Sequence, residues 1–278
     1  MTKSVNAAQP GKALAGKALA GKDRARSDGL HQALPALTGI ASVVGFVLIV
    51  EVLIQTGVLN RFIIPPPSQI LGSFGRVIAE EHVFSRFLLT ATECLTAGVM
   101  ITVIGVAVGV AMHRFRLFQQ ACETWVAALA SAPMVLCYPL FLVIFGRSAW
   151  TMIIMGFVSG LPPVILKTVE GMAGIRKVLI NVGRSFNLTR SQQFWKIQFP
   201  AALPSIFIGI RLGLIFALIN IVGTEFLINF GGLGQLIEDL AERYDLPGTY
   251  AAVCFVILVS ILFFMALEKA ERWLIRAD

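Results

Sequence analysis

Charged residues are scarce in this chain. Only 14% of the 278 residues are Asp, Glu, Lys or Arg, and 56% are hydrophobic, whereas soluble domains carry about 25% charged residues. The composition therefore excludes an ordinary soluble domain and predicts a protein that lies in a bilayer. The net charge of +7 is spread between apolar runs, while a nucleic-acid-binding surface needs clustered bases on one folded face. Nucleic acid is accordingly excluded as a partner.

Sequence motifs for catalysis and nucleotide binding are also missing. Residues 231–234 read GGLG, but no strand is predicted before them and no Lys-Ser or Lys-Thr pair follows, so they are no phosphate loop. The four cysteines and three histidines stand far apart, which argues against a disulfide framework or a zinc site. We expect that the chain is not an enzyme, that it holds no cofactor or metal, and that any energy comes from another subunit or an ion gradient.

Long apolar runs are the main feature that is present. Six of them approach the roughly 20 residues that cross a bilayer as a helix, so the sequence predicts an all-α membrane protein with about six transmembrane helices. Pro162 and Pro163 predict a kink or break near the end of the fourth run. The runs are Leu34 to Ile54, Phe87 to Met112, Thr124 to Phe145, Trp150 to Leu166, Pro204 to Leu227 and Tyr250 to Leu267.

The positive charges lie mainly on one side of these runs. Seventeen of the 23 Lys and Arg fall on the side of the amino terminus and five on the other, while Arg211 lies inside the fifth run. The positive-inside rule then places both termini in the cytoplasm. The predicted parts are a disordered basic cytoplasmic tail (1–31), a first transmembrane helix (32–59), an external surface segment (60–85) and a core (86–278) with a cytoplasmic loop at about 167–203.

Two external stretches have recognisable patterns. Three prolines precede Ser68, which is predicted to cap an amphipathic helix lying on the membrane surface. The stretch 229–249 contains a glycine cluster followed by four acidic residues, and it is expected to form an acidic outer loop. The apolar positions of the surface helix are Ile70, Leu71, Phe74, Val77 and Ile78.

Small residues four positions apart occur in three of the runs. Such pairs let helix backbones approach closely inside a membrane, so they predict a tightly packed helix bundle. The pairs are Gly105 with Gly109, Gly156 with Gly160, and Gly209 with Gly213.

Ionisable and polar groups within or beside the runs are candidates for a translocation pathway. Buried charges in a membrane usually face the bundle interior or a wet cavity, and one face of the fifth run groups several polar residues. Two interpretations remain open, because such groups either line a pathway or make satisfied contacts between helices. The pathway candidates are Glu225, Asn220, Thr224, Glu93 and Arg147, and Glu51 is a further intramembrane acid.

The loop between the fourth and fifth runs has a helix–turn–helix pattern. Residues 175–186 predict a short helix, and Asn187 stands where a left-handed terminating residue is needed. Thr189 with Gln192 predicts a capping box that starts a second short helix running towards Pro200, parallel to the membrane. Physical reasoning alone also permits a plain amphipathic surface loop.

This loop resembles the cytoplasmic EAA loop of importer-type ABC permeases. Asn181-Val182-Gly183 stands at the Glu-Ala-Ala position, Asn187 at the glycine, and FPAALP ending at Pro204 matches the closing residues. Other ordered matches are IPPPS at 64–68, Ser131-Ala132-Pro133, and Glu225-Phe226 followed by Gly232-Leu233-Gly234. The resemblance covers about residues 60–275, and Arg184-Ser185 is similar to the taurine, aliphatic sulfonate and nitrate branch.

The resemblance implies a type I ABC importer permease fold and a multi-pass protein of the bacterial inner membrane. It implies dimerisation with a second, identical permease chain, two cytoplasmic ATPase subunits that bind ATP and Mg, and an external binding protein that delivers a small organic anion. The alternative is an ion-coupled secondary transporter or channel without an ATPase. The ATPase-coupling residues so implied are Asn181, Val182, Gly183, Arg184, Ser185, Phe186, Asn187, Leu188, Pro200 and Pro204.

Overall fold

The computed structural model describes residues 38–61 and 63–275, and all regular structure within them is helical. This confirms the all-α prediction, while the expected tail at 1–31 lies outside the described residues. The helices are α1 (Thr38–Gln55), α2 (Pro67–Glu80), α3 (Val83–Arg114), α4 (Arg116–Ser131), a 3₁₀ turn (Met134–Cys137), α5 (Tyr138–Phe145), α6 (Ala149–Ala173), α7 (Lys177–Ser185), α8 (Arg190–Gln193), a π turn (Phe194–Gln198), α9 (Phe199–Ile228), α10 (Gly232–Glu242) and α11 (Leu246–Ile275).

Five described helices are long and apolar enough to cross a membrane, and a bent pair raises the number to six. This bent pair includes the run from Thr124 to Phe145 that was predicted as the third span. Its two halves, α4 and Met134–Phe145, meet at 90°. The reason is Pro133, since proline pushes the preceding residue out of the helical region, and Ala132 has φ −73° and ψ 133°.

Of the predicted kink or break at Pro162 and Pro163, the break is wrong, because both prolines lie inside α6, which continues to Ala173. Prolines are tolerated within transmembrane helices when neighbouring helices compensate for the lost backbone hydrogen bonds. In α6, 13 of 25 residues are buried, and the Ser159 hydroxyl donates to the carbonyl oxygens of Gly156 and Phe216.

Helices α3, α6 and α9 form the centre of the bundle, and glycines bring their backbones together. A Cβ atom on Gly213 would lie 2.6 Å from the Gly160 carbonyl oxygen, and one on Gly105 would lie 2.9 Å from Val164. Ala97, Ile101 and Ile221 are fully buried between these helices. The predicted close packing at the three glycine pairs is confirmed.

The apolar face of α2 packs against α10 and α11. Val77, with Ile70 and Phe74 beside it, lies against a cluster that includes Leu236 and Ala252, and Val77 is 3% exposed. Leu71 and Ile78, which were expected on the same face, are instead exposed.

Residues 38–68 form a separate unit that contains α1. The described part of the first predicted span begins at Thr38 and ends one residue beyond Ile54. Glu51 accepts hydrogen bonds from the Ser68 backbone N–H at 3.1 Å, the Ser68 hydroxyl at 2.9 Å and Gln55 Nε2 at 2.9 Å. The expectation that Ser68 caps α2 is therefore wrong, because α2 already begins at Pro67 and the Ser68 hydroxyl is bound to Glu51.

Candidate functional site

The first candidate site is the loop between α6 and α9, and its helix α7 ends in a tight closing turn. Asn187 has φ 52°, as expected for the left-handed residue that follows a helix. Its N–H donates to the Arg184 carbonyl at 2.9 Å, and the Leu188 N–H donates to the Gly183 carbonyl at 3.1 Å. These two bonds form a Schellman motif, which satisfies carbonyl groups that the helix end leaves free.

The chain then starts a new helix at Thr189 through the predicted capping box. The Gln192 N–H donates to Thr189 Oγ1 at 3.3 Å, and the Thr189 N–H donates to Gln192 Oε1 at 3.0 Å. The expectation of a short second helix is wrong, because α8, the π turn and α9 form one helical run from Arg190 to Ile228. Pro200 and Pro204 lie in this run, and Pro200 lacks the N–H that would bind the Lys196 carbonyl, which accommodates the wider turn before it.

Helix α7 is fixed to this long run by a buried contact. Gln193 is 9% exposed, and its Nε2 donates to the Ile180 carbonyl at 3.0 Å. Gly183 is buried there, and a Cβ atom at this position would lie 2.6 Å from Ile197 Cδ1. These contacts join α7 directly to the helical run that contains α9, so a movement of α7 would be transmitted to α9.

The remaining predicted loop residues point outwards or lie at the edge of this contact. Asn181, Val182, Arg184, Ser185 and Phe186 are exposed, and Leu188 is half-buried. Phe186 is 76% exposed, which is unusual for an aromatic side chain at the aqueous end of a helix. The arrangement leaves an exposed aromatic side chain two residues from the exposed Arg184.

The second candidate site surrounds Glu225, near the other end of α9. Glu225 is fully buried, and its carboxylate accepts hydrogen bonds from Thr90 Oγ1 at 2.6 Å and from the Gly234 N–H at 2.8 Å. Thr90 in turn accepts from the Leu233 N–H at 2.9 Å. Glu225 and Thr90 therefore bind the free N–H groups in the first turn of α10, where a negative charge is favoured.

Glycines make this contact possible. Gly232 has φ 79° and lies directly against the Glu225 carboxylate, and a Cβ atom on Gly234 would lie 2.6 Å from the Phe226 nitrogen. Any larger residue at either position would separate α10 from α9. Sequence reasoning missed Thr90 and gave the GGLG cluster no role, although a carboxylate six residues before a glycine cluster was the available signal.

Glu93 is 2% exposed and interacts with Glu225 across the bundle. Within the described part of the chain, neither Glu93 oxygen accepts a well-formed hydrogen bond. Two neighbouring buried carboxyl groups repel each other when both are ionised. Glu93 is thus a poorly satisfied group beside a well-satisfied one.

The other three pathway candidates are placed separately. The Thr224 hydroxyl donates to the Asn220 carbonyl at 2.7 Å, and Asn220 Nδ2 donates to the Phe216 carbonyl at 2.9 Å. Thr224 is fully buried and Asn220 is 8% exposed. Arg147 is exposed in the turn before α6 and donates from its guanidinium group to the Asn229 carbonyl. Of the five candidates, Arg147 is the one whose side chain is open to solvent.

Two of the four acidic residues in the stretch expected to form an acidic outer loop are paired with arginines. Asp239 pairs with Arg86 at 2.6 Å, and Asp245 pairs with Arg76 at 2.5 Å. Burial, followed by the charge of Glu242, raises the pKa of Glu238 above its usual range. No group of three or more His, Cys, Asp or Glu side chains that could hold a metal occurs between residues 38 and 275 as described.

Comparison with known families identifies residues 101–276 as similar to the binding-protein-dependent transport system inner membrane component. This match includes the α7 loop, α9 and α10. Apart from its last residue, the match falls within the region, about 60–275, on which the sequence resemblance was based.

Individual proteins with similar sequences or structures agree with that match. The formylaminopyrimidine transport permease protein ThiX of Halalkalibacterium halodurans is 23% identical over 215 residues, covering 77% of this chain and 85% of ThiX. The taurine transport system permease protein TauC of Escherichia coli is 21% identical over 219 residues, covering 77% of this chain and 80% of TauC. An inward-facing structure of the MetNI methionine ABC transporter aligns with a TM-score of 0.59 at 19% identity, covering 70% of this chain and 95% of the matched chain, which shows a shared fold.

Proposed function

Because the chain belongs to the family of binding-protein-dependent transport system inner membrane components, and so is a permease subunit of an ABC importer, we propose that its α7 loop is where ATPase subunits drive transport. The single observation that carries this proposal is the exposed side chain of Phe186 at the end of α7, a helix that is attached to the long helical run Arg190–Ile228. The coupling residues are Asn181 to Leu188, with Pro200 and Pro204 in the attached helical run.

The proposed assembly contains two identical permease chains, two cytoplasmic ATPase subunits and an external binding protein. ATP and Mg belong to the ATPase subunits, since this sequence has no phosphate loop. The uneven distribution of Lys and Arg supports an inner-membrane orientation with both termini and the α7 loop in the cytoplasm.

The contacts of this chain suggest how movement at the loop reaches the outer side. Gln193 and Gly183 attach α7 to the helical run Arg190–Ile228. Near the far end of that run, Glu225 holds the first turn of α10. A displacement of α7 by the ATPase would therefore tilt α9 as a lever and shift α10 at the outer face.

The cargo proposed for this pathway is a small organic anion, such as a sulfonate, nitrate-like or aromatic carboxylate compound. Support comes from the taurine permease among the relatives and from the exposed guanidinium group of Arg147. In this proposal Arg147 attracts the anion, while Asn220, Thr224, Glu93 and Glu225 border the pathway and control the helices around it.

The experiment compares Phe186→Ala with Phe84→Ala, because both phenylalanines are 76% exposed but only Phe186 lies on the α7 loop. Each variant is purified from its native membranes, and the recovered ATPase subunit and substrate-stimulated ATP hydrolysis are measured. We expect Phe186→Ala to lose ATPase subunit and turnover, and Phe84→Ala to keep both. Transport by a purified wild-type chain without any ATPase would contradict the proposal.

A further inference from the structure

A large basic cleft lies between the last turn of α3 and the α7–α8 loop. Its volume is about 960 Å³, and its wall includes Arg114, Arg184 and Arg190 together with Leu188 and Phe194. Arg114 comes from α3, outside the loop, so the cleft joins two separate elements of the fold. None of the sequence features that identified the loop involved Arg114.

Within the part of the chain that the structure describes, none of the three arginines forms an ion pair. The sequence has no Asp or Glu between Glu170 and Glu225, and Glu170 itself pairs with Lys167 at 2.6 Å. Among residues 38–61 and 63–275, the recorded ion pairs include neither Arg114, Arg184 nor Arg190. Three guanidinium groups around one cleft repel each other and create a strong positive potential.

The chemistry of the cleft favours one kind of occupant. Guanidinium groups bind carboxylates through paired hydrogen bonds, and the apolar side chains of Leu188 and Phe194 suit the aliphatic part of a peptide. Phe186, which is exposed, stands in the sequence between the cleft residues Arg184 and Leu188. A protein segment that carries several Asp or Glu side chains fits these features.

We propose that this cleft is a docking site for an acidic segment of the ATPase subunit, whose carboxylates bind Arg114, Arg184 and Arg190. This inference rests on the proposed function and adds the chemistry of the partner surface. It also gives α3 a direct part in the contact, so that ATPase movement acts on α3 as well as on α7 and α9.

The test uses the complete transporter in nanodiscs and measures ATPase subunit affinity as KCl is raised. The cleft variants are Arg114→Glu, Arg184→Glu and Arg190→Glu. The matched control is Arg116→Glu, since Arg116 is exposed at the start of α4, two residues from Arg114, but does not line the cleft. Thermal unfolding of each variant without ATPase checks that it folds.

We expect each cleft variant to bind the ATPase subunit about tenfold more weakly or worse, because a charge reversal replaces attraction by repulsion. The control is expected to change affinity less than about twofold, as isolated surface charges do. Wild-type affinity is expected to fall as KCl rises. Suppressors of Arg184→Glu in the ATPase gene are expected to replace Asp or Glu by Lys or Arg.

Cleft variants that bind the ATPase subunit as well as Arg116→Glu does would overturn the inference while leaving the proposed function standing. Failure of the wild-type chain to bind any ATPase subunit would overturn both. A lipid-binding cleft would give a different result. In that case the ATPase-free wild-type protein would bind phosphatidylglycerol vesicles, the three cleft variants would lose this binding, and their affinity for the ATPase subunit would be unchanged. This result would contradict the inference.

Discussion

The Thr90 hydroxyl group donates a 2.6 Å hydrogen bond to Oε1 of Glu225, which lies 135 residues further along the chain. Thr90 Oγ1 also accepts a hydrogen bond from the Leu233 N–H, so one hydroxyl group connects α3, α9 and α10. In the interior of a membrane protein, loss of such a group leaves polar atoms without partners. The attachment of α10 is therefore expected to depend strongly on Thr90.

Replacement of Thr90 by Val tests this dependence, because Val keeps the shape and removes the hydroxyl. We expect a loss of about 1–2 kcal/mol in the free energy of unfolding and faster hydrogen exchange at Leu233 and Gly234. The control is Thr92→Val. The Thr92 hydroxyl is exposed and donates to the Leu88 carbonyl of its own helix. Equal effects of the two substitutions on exchange in α10 would refute the connecting role.

The neighbouring acids Glu93 and Glu225 are expected to respond oppositely to the same substitution. Glu93→Gln keeps the size of the side chain, cannot place a second negative charge beside Glu225 and gives an amide donor that faces it, so the unfolding temperature is expected to rise. Glu225→Gln weakens an acceptor of the Gly234 N–H, so the unfolding temperature is expected to fall. Because Glu225 is also a pathway candidate, substrate-stimulated ATP turnover is measured on the same samples. An unchanged turnover in Glu225→Gln, with assembly intact, would leave Glu225 a packing residue.

The contact between Gly160 and Gly213 leads to a prediction about packing. A methyl group at Gly213 would lie 2.6 Å from the Gly160 carbonyl oxygen and 2.8 Å from Val164, so Gly213→Ala is expected to cost about 1–3 kcal/mol of stability. Gly223→Ala is the control on the same helix, since its nearest neighbour is Val135 at 3.4 Å. Thermal unfolding in nanodiscs measures both, and equal stability of the two variants would contradict the close approach of α6 and α9.

Local sequence signals predicted much of this structure. Asn187 and the Thr189–Gln192 capping box were predicted because they depend on residues that are close in sequence. The bend at Pro133 was also available from local chemistry, but the apolar run on both sides hid it. The continuity of α6 through Pro162 and Pro163 could not be predicted, because it depends on packing against α9.

The two candidate sites also differ in how far the sequence predicts them. The α7 loop could be found from its pattern, whereas Thr90 is ordinary in sequence and gains its role only when folding brings it to Glu225. Arg114 likewise joins Arg184 and Arg190 through the fold alone. Contacts between distant residues set the chemistry of both sites, and no periodicity in the sequence encodes such contacts.

The closing turn of α7 predicts that two substitutions at Asn187 differ in their effects. Its φ of 52° suits Gly and disfavours a β-branched residue. We therefore expect Asn187→Gly to leave ATPase binding within about twofold of wild type, and Asn187→Val to weaken the turn by about 1–2 kcal/mol. Hydrogen exchange at Leu188 and recovery of the ATPase subunit measure the two effects. Wild-type behaviour of Asn187→Val in both measurements would contradict the left-handed turn.

The pKa of Glu238 leads to a prediction about pH. Burial raises this pKa first, and the charge of Glu242 adds to the effect, so the folded chain holds this proton more tightly than the unfolded chain. Stability is then expected to fall as pH rises from the ordinary Glu pKa through the raised one, because the folded state binds more protons in that window.

Glu238→Gln removes the titration, so its stability relative to wild type is expected to increase across the window and stay constant above it. Unfolding temperatures measured from the ordinary Glu pKa upwards past neutral pH test this. Glu80→Gln is the comparison, and a parallel pH profile for Glu238→Gln and wild type would show that the Glu238 carboxyl group titrates as it does in the unfolded chain.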